Sequence, residues 1–344
     1  MCRFNKILTF KKAGQIGSFF LLMLFLAVLQ GCANRSIESS FHGLRYDIVG
    51  EHYLMLQEYN KGYDFFSTAV QEHPDNAEAC YFTGRFLLAT KKAKQALVYF
   101  EKAVQLMPEE PEYHFWQGVA YGELKKLSKE RKSYQQVLKL DKDHLQALIY
   151  LGNNQLRNKH YTRALELYRR ALIIWPYSPT ALYNRALAAK SLRRTPEEKT
   201  AWLEYLRYYP SGGMARRAVR NLNRLGDFSF RIQRLGARSV ALPKIDFQPM
   251  APALNKESHR ILDMVGAVAA NIKKGTLHVV VYQKNNSVLA RDRARSVKKY
   301  LSRKFPELRG GKVRLSWFPT SEKIKIKGRT FVIDDSVRFI LADA

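Results

Sequence analysis

Glycine stands at positions 50, 84, 118 and 152, a constant step of 34 residues. Proline stands at 74, 108, 176 and 210 on the same step, with Lys142 in the place of the missing one. A fixed step of this length marks helical hairpins stacked in a row, each burying its apolar face only against its neighbours. The other positions of the unit repeat too. Gly84 is followed by Leu87, Ala96, Phe100, Ala103 and Pro108; Gly50 by Tyr53, Gly62, Phe66, Ala69 and Pro74; Gly152 by Ala164, Tyr168, Ala171 and Pro176. The third unit keeps Gly118, Tyr121 and Tyr134, and the fifth has Ala186 in the glycine's place but keeps Trp202 and Pro210. Small residues suit close helix crossings, an aromatic plugs the gap, and proline stops the second helix because it lacks the donor that would continue it. Such a ladder points to a binding scaffold before it points to any enzyme.

The chain has 344 residues, room for about two domains of roughly 150 residues each. Its apolar fraction of 46% is that of a globular protein, but its formal charge of +28 is not, and favours anionic partners and surfaces. Of the three cysteines, Cys2 and Cys32 lie in or beside the amino-terminal segment, which leaves no disulfide framework to argue. Cys80, among Ala79, Tyr81 and Phe82, reads as a small buried apolar residue.

The amino terminus is basic at Arg3, Lys6, Lys11 and Lys12, then apolar over residues 18–29, then Leu29, Gln30, Gly31 and Cys32. This is the layout of a secretory signal peptide, with an apolar run shorter than the roughly 20 residues a membrane span needs. The Leu-Gln-Gly-Cys run resembles the lipobox of bacterial lipoproteins. That resemblance implies cleavage after residue 31, lipidation of Cys32 and, with Ala33 rather than an aspartate next, export to the outer membrane, facing the periplasm. Residues 32–42 read as a polar tether.

Over residues 43–226 the ladder resembles the tetratricopeptide repeat family, with residues 211–225 as a capping helix. The resemblance implies an all-α solenoid whose first helices line a groove for a protein or peptide partner. One such position gives Tyr81, Phe115, Ile149 and Tyr183; four residues on lie Arg85, Val119, Asn153 and Leu187. Tyr81, Arg85, Phe115, Ile149, Asn153 and Tyr183 are therefore the groove candidates. The rings serve equally well as packing between neighbouring hairpins. The two-carboxylate clamp of some relatives calls for Lys and Asn where this chain has Asp47 and Glu51, which points away from that ligand class.

After a linker expected at 227–239, residues 240–344 change character. Apolar runs at 277–282, 312–318, 330–333 and 337–341 read as strands, with a short one near 244–247; amphipathic patterns at about 257–272 and 287–303 read as helices. The order strand, helix, strand, helix, strand, strand predicts a small α+β sandwich. With Asn286, Leu289, Arg293-Ala294, Val297 and Tyr300-Leu301, it resembles the OmpA-like peptidoglycan-associated domain. That resemblance implies wall contact through Asn286 and Arg293. The family's aspartate after the second strand and its paired arginines near the last strand are absent; Asp335, Ser336 and Val337 stand at the latter place.

This part carries 21 basic and 9 acidic residues, a net +12. Arg291, Arg293, Arg295, Lys298, Lys299, Arg303 and Lys304 crowd one helix and its end, and Lys323, Lys325, Lys327 and Arg329 are expected in a loop, alternating with Ile324 and Ile326. No nucleic-acid recognition motif accompanies the charge. No nucleophile triad or acidic pair is visible, and His259 and His278 stand alone, so no catalytic residue, metal or cofactor is expected. The sequence thus predicts a multidomain, non-enzymatic outer-membrane lipoprotein: a scaffold that docks envelope proteins, associates with peptidoglycan, and serves a pilus, secretion system or outer-membrane complex. The alternatives are a nucleic-acid binder in DNA uptake or transfer and a wall-remodelling enzyme.

Overall fold

A computed structural model describes residues 45–236, 238–271 and 275–342. The signal segment, Cys32 and the whole tether lie outside the described residues. The chain divides into two compact units, one ending at Ala147 and one beginning at Leu148.

The first unit is helical: α1 (45–55), α2 (Tyr59–Glu72), α3 (Ala77–Ala89), α4 (Ala93–Leu106), α5 (Pro111–Glu123), α6 (Leu127–Leu140) and the start of α7 (Leu145–Arg157). The glycine ladder exists because aromatic rings lie on it. A Cβ built on Gly84 would sit 2.7 Å from the Phe100 ring, and one on Gly118 would sit 2.6 Å from the Tyr134 ring. Phe66, Phe100 and Tyr134 are fully buried.

Two further ladders share the step. Each hairpin turns on a left-handed residue that is not glycine, Gln57, Lys91 and Lys125, at φ of 58°, 63° and 57°. The following amide bonds back across the turn, as from Lys92 to the Leu87 carbonyl and from Lys126 to Tyr121, which closes the first helix in a Schellman-type cap. The other ladder is the start of the next helix. Asn76 and Glu110 cap α3 and α5, and His144 does the same for α7, accepting from the Ala147 amide at 3.2 Å. Lys142 replaces proline without extending α6, because the Asp141 carboxylate accepts from the Asp143 amide at 3.0 Å and His144 starts the next helix.

The second unit continues with α8 (Tyr161–Ile174), α9 (Pro179–Ser191) and α10 (Thr195–Tyr208). The same contacts recur: a Cβ on Gly152 would lie 2.7 Å from the Tyr168 ring, and Ser178 caps α9. In the last hairpin Ala186 and the larger Trp202 share one buried cluster.

The stretch 227–239, expected as a linker, instead holds strand β1 (Phe230–Leu235) and the start of β2 (Arg238–Pro243). The expected capping helix is α11 (Gly212–Arg224), and its apolar face is covered: Ala215, Ala218, Val219 and Leu222 share a core with Phe230, Ile232 and Ala241 of β1 and β2. The strand expected at 244–247 is reduced to one bridge between Phe247 and Leu254.

Beyond it come α12 (Lys256–Ala270), β3 (Thr276–Gln283), α13 (Ser287–Lys304) and β4 (Val313–Phe318). The hairpin β5 (Glu322–Ile326) and β6 (Arg329–Ile333) follows, then β7 (Asp335–Ala342). The main sheet runs β2-β1-β7-β3-β4, with β3 and β4 parallel across α13, and β7 antiparallel to β3. One face packs on α12 and α13 through Leu262, Val265, Val279, Val281, Val297 and Phe339. The basic segment at 323–329 is not a loop. Its alternation is that of a two-stranded hairpin turned at Lys327-Gly328, both with positive φ, and seated by Phe331 on Phe228.

Where the hairpin meets the sheet, Glu322 is buried among Arg231, Arg338 and Ser336, all of which donate to it. Burial raises its pKa, but the Arg231 and Ser336 hydrogen bonds and the Arg231 charge outweigh that, with Arg338 adding to them, and hold it down to about 2. The unfolded carboxyl, with its ordinary value of 4.5, takes up its proton first. The stability that Glu322 contributes is therefore complete above that value and lost as pH falls towards about 2. Glu322→Gln should flatten this acid limb in pH-dependent denaturation. It should also cost about 3–5 kcal/mol at neutral pH, since two arginines lose their counter-charge. For the ladder, Gly118→Ala and Gly152→Ala are each expected to destabilise the chain by about 1–3 kcal/mol in urea titration, because a buried ring must move.

Candidate docking site

The site in the first unit is built on Arg85. Helix α3 presents it one turn beyond Tyr81, and α5 places Trp116 opposite. The guanidinium lies 3.9 Å from the indole centroid and 5.4 Å from that of the Tyr81 ring, a cation–π sandwich at the border of solvent. Nη1 donates to the Tyr81 hydroxyl and reaches Glu51 at 3.5 Å. Burial pushes the Tyr81 hydroxyl pKa up, against the pull of Arg85, so it stays a neutral partner.

Trp116 is fixed in turn. Its Nε1 donates to Glu112 Oε2 at 3.1 Å, and Glu112 Oε1 meets His144 Nε2 at 3.1 Å. His144 Nδ1 accepts from the Ala147 amide, so the proton sits on Nε2 and the imidazole donates to Glu112. The His144 hydrogen bond holds the Glu112 carboxyl below the usual range against its burial, with the Trp116 hydrogen bond and the Arg85 charge adding to it. The His144 ring also stacks on Phe115, centroids 5.3 Å apart. A chain of contacts therefore runs from the cap of α7 to the guanidinium of Arg85.

Beside Arg85 opens a cavity of about 1050 Å³. Leu54, Leu88, Val119, Leu124 and the Trp116 indole supply apolar wall, and Lys91, Lys92 and Lys94 stand on its rim with Glu123.

The other groove candidates divide by side-chain role. Tyr81, Phe115, Ile149 and Tyr183 are all buried. Tyr81 packs on Phe82 and Tyr113, and Phe115 on Trp116, Tyr134 and His144. Tyr183 packs on Trp202 and Tyr205 in the second unit. The rings serve packing within and between hairpins; the positions four residues on are half-buried and reach solvent. Asn153 accepts from the Tyr168 hydroxyl at 2.7 Å and the Asn184 amide at 2.8 Å, and so orders the ring that covers Gly152.

In the sheet domain, Asn286 caps α13 through the Leu289 amide at 2.8 Å. Arg293 is 7% exposed. Its Nε donates to the Ala251 carbonyl at 3.2 Å, its Nη1 donates to Gln283, and its guanidinium sits 4.7 Å over Phe247. Asp335, where the OmpA-like resemblance called for an arginine pair, is 4.0 Å away. Arg293 thus ties α13 to the segment before α12.

Sequence reading missed Trp116, Glu112, His144 and the lysine rim. A signal for the rim was present: basic pairs Lys91-Lys92, Lys125-Lys126 and Arg193-Arg194 recur on the 34-residue step, each opening on a left-handed turn residue. The partnership of Trp116 with Arg85 joins two hairpins and has no sequence signature. His144→Ala removes a cap, a ring stack and the Glu112 donor together. It should lower stability by about 2 kcal/mol in denaturant titration, at the upper end for a lost cap, whereas His144→Asn should recover much of that.

Models of the tetratricopeptide repeat family match residues 53–115, 111–144 and 131–179. No curated protein matches the chain. Among solved structures it is similar to the MamA protein, at 17% identity and a TM-score of 0.44, covering 48% of this chain and 91% of that one. It is also similar to YrrB, described as a tetratricopeptide repeat protein with an unusual peptide-binding site, at 17% identity and a TM-score of 0.44, covering 49% and 87%. A tetratricopeptide repeat protein from Parabacteroides merdae ATCC 43184 aligns at 16% identity and a TM-score of 0.46, covering 53% and 73%. Residues 53–179 of this chain are tetratricopeptide repeats.

Proposed function

We propose that this chain is a non-enzymatic docking scaffold. It is held at the outer membrane by lipid on Cys32, faces the periplasm, and recruits a protein partner to an envelope machine such as a pilus, secretion system or outer-membrane complex. The observation that carries the docking role is the cavity beside Arg85, an apolar-walled recess formed where successive repeats meet. Ligand recesses of this kind combine apolar wall with a few placed polar groups. The lipid anchor rests on the leader and the Leu-Gln-Gly-Cys run.

The polar groups that the OmpA-like resemblance would turn to the wall are engaged inside the domain, Arg293 on Gln283, Ala251 and Phe247 and Asn286 on the helix cap. Partner docking is therefore assigned to the repeats, and any nearness to the wall to the anchor rather than to these two side chains. The high net charge supports an anionic neighbourhood without calling for nucleic acid.

The test has two arms. Cys32→Ser should move the chain from the membrane fraction to the soluble periplasmic fraction; unchanged fractionation removes the anchor from the proposal. Crosslinking in membranes should capture a defined protein with the wild-type chain and lose it with Val119→Glu, which puts a charge in the cavity wall. Capture that survives Val119→Glu would show that the partner does not use this site.

A further inference from the structure

Arg85 is held but not used up. Its Nη1 serves Tyr81 and Glu51, while Nε and Nη2 have no partner among the described residues and are not sealed from solvent. A guanidinium fixed on an indole face with two donors open is pre-organised for a carboxylate, because the cost of immobilising the side chain is already met. Glu51 shows the preference from inside the protein: it approaches Arg85 at 3.5 Å, and its side chain is 63% exposed. It is a weak internal carboxylate that a better one can displace. The cavity beside Arg85 has aliphatic wall at Leu54, Leu88 and Val119 and a cationic rim at Lys91 and Lys92.

We infer that the occupant of this cavity is an acidic peptide segment of the partner, in which an aliphatic side chain enters the recess and a neighbouring carboxylate replaces Glu51 on Arg85. This rests on the docking reading and names the chemistry of the partner. The lysines draw the segment in and leave the selection to Arg85, since exposed charges steer more than they hold.

The test uses the full chain in detergent and a blocked peptide of alternating leucine and glutamate. Trp116 fluorescence is the readout, and Trp116→Phe identifies the signal. The glutamate peptide should bind about tenfold more tightly than its glutamine counterpart, the range of one charge-assisted hydrogen bond. Arg85→Gln should remove that difference. Glu51→Gln should tighten binding, because it deletes the competitor. Equal affinity for the two peptides, or weaker binding by Glu51→Gln, overturns the acidic assignment while leaving docking at this site intact. Absence of binding by either peptide also overturns it. Capture of a membrane partner that is sensitive to Val119→Glu then decides the docking reading separately.

Discussion

The contact between a glycine of one helix and an aromatic ring of the next is the constraint on which the helical part of this protein depends. At Gly84, Gly118 and Gly152 the ring lies so close that a single added carbon would overlap it. The ring can then lie flat on backbone, and the two helices approach more closely than side chains would allow. That spacing brings the capping residues and the left-handed turns into register, hairpin after hairpin. Where the glycine becomes Ala186, the ring becomes Trp202, and the pair remains fully buried. The solution is the same with its volume redistributed.

The candidate site is a by-product of this stacking and of one substitution in it. His144 takes the cap position held elsewhere by Asn76, Glu110 and Ser178. Unlike them, an imidazole has a second nitrogen. With Nδ1 committed to the cap, Nε2–H orders Glu112, Glu112 orders Trp116, and Trp116 provides the plane on which Arg85 rests. A helix cap is thus linked to the candidate site through four side chains. The rings expected to touch a ligand form the layer beneath, and of the residues one turn further on Arg85 and Val119 reach the cavity.

At the far end of the repeats, α11 offers its apolar face to strands rather than to water. The segment between repeats and sheet is therefore part of the sheet, and a domain boundary drawn where the ladder stops does not coincide with a break in packing. Strand β5 was hidden by its charge. Lys323 and Lys325 face outward while Ile324 and Phe331 face the body of the domain, an alternation that needs knowledge of what lies beneath to be read as a strand. Arg293 was legible as a singular residue. Its partners come from segments up to 46 positions away, so its role as an internal tie was not.

The sequence alone determined the hairpins, their length, their close crossings and their stops, because each depends on contacts between residues a fixed and short distance apart. The same local logic placed α12, α13, β3, β4, β6 and β7 close to their observed limits. Tertiary structure decided which side of each residue is spent on packing and which is left open. It joined Arg85 to Trp116, Glu322 to Arg231 and α11 to β1. These pairings come from surfaces meeting across the fold. The free energy of such contacts lies in burial and geometry that no spacing along the chain records.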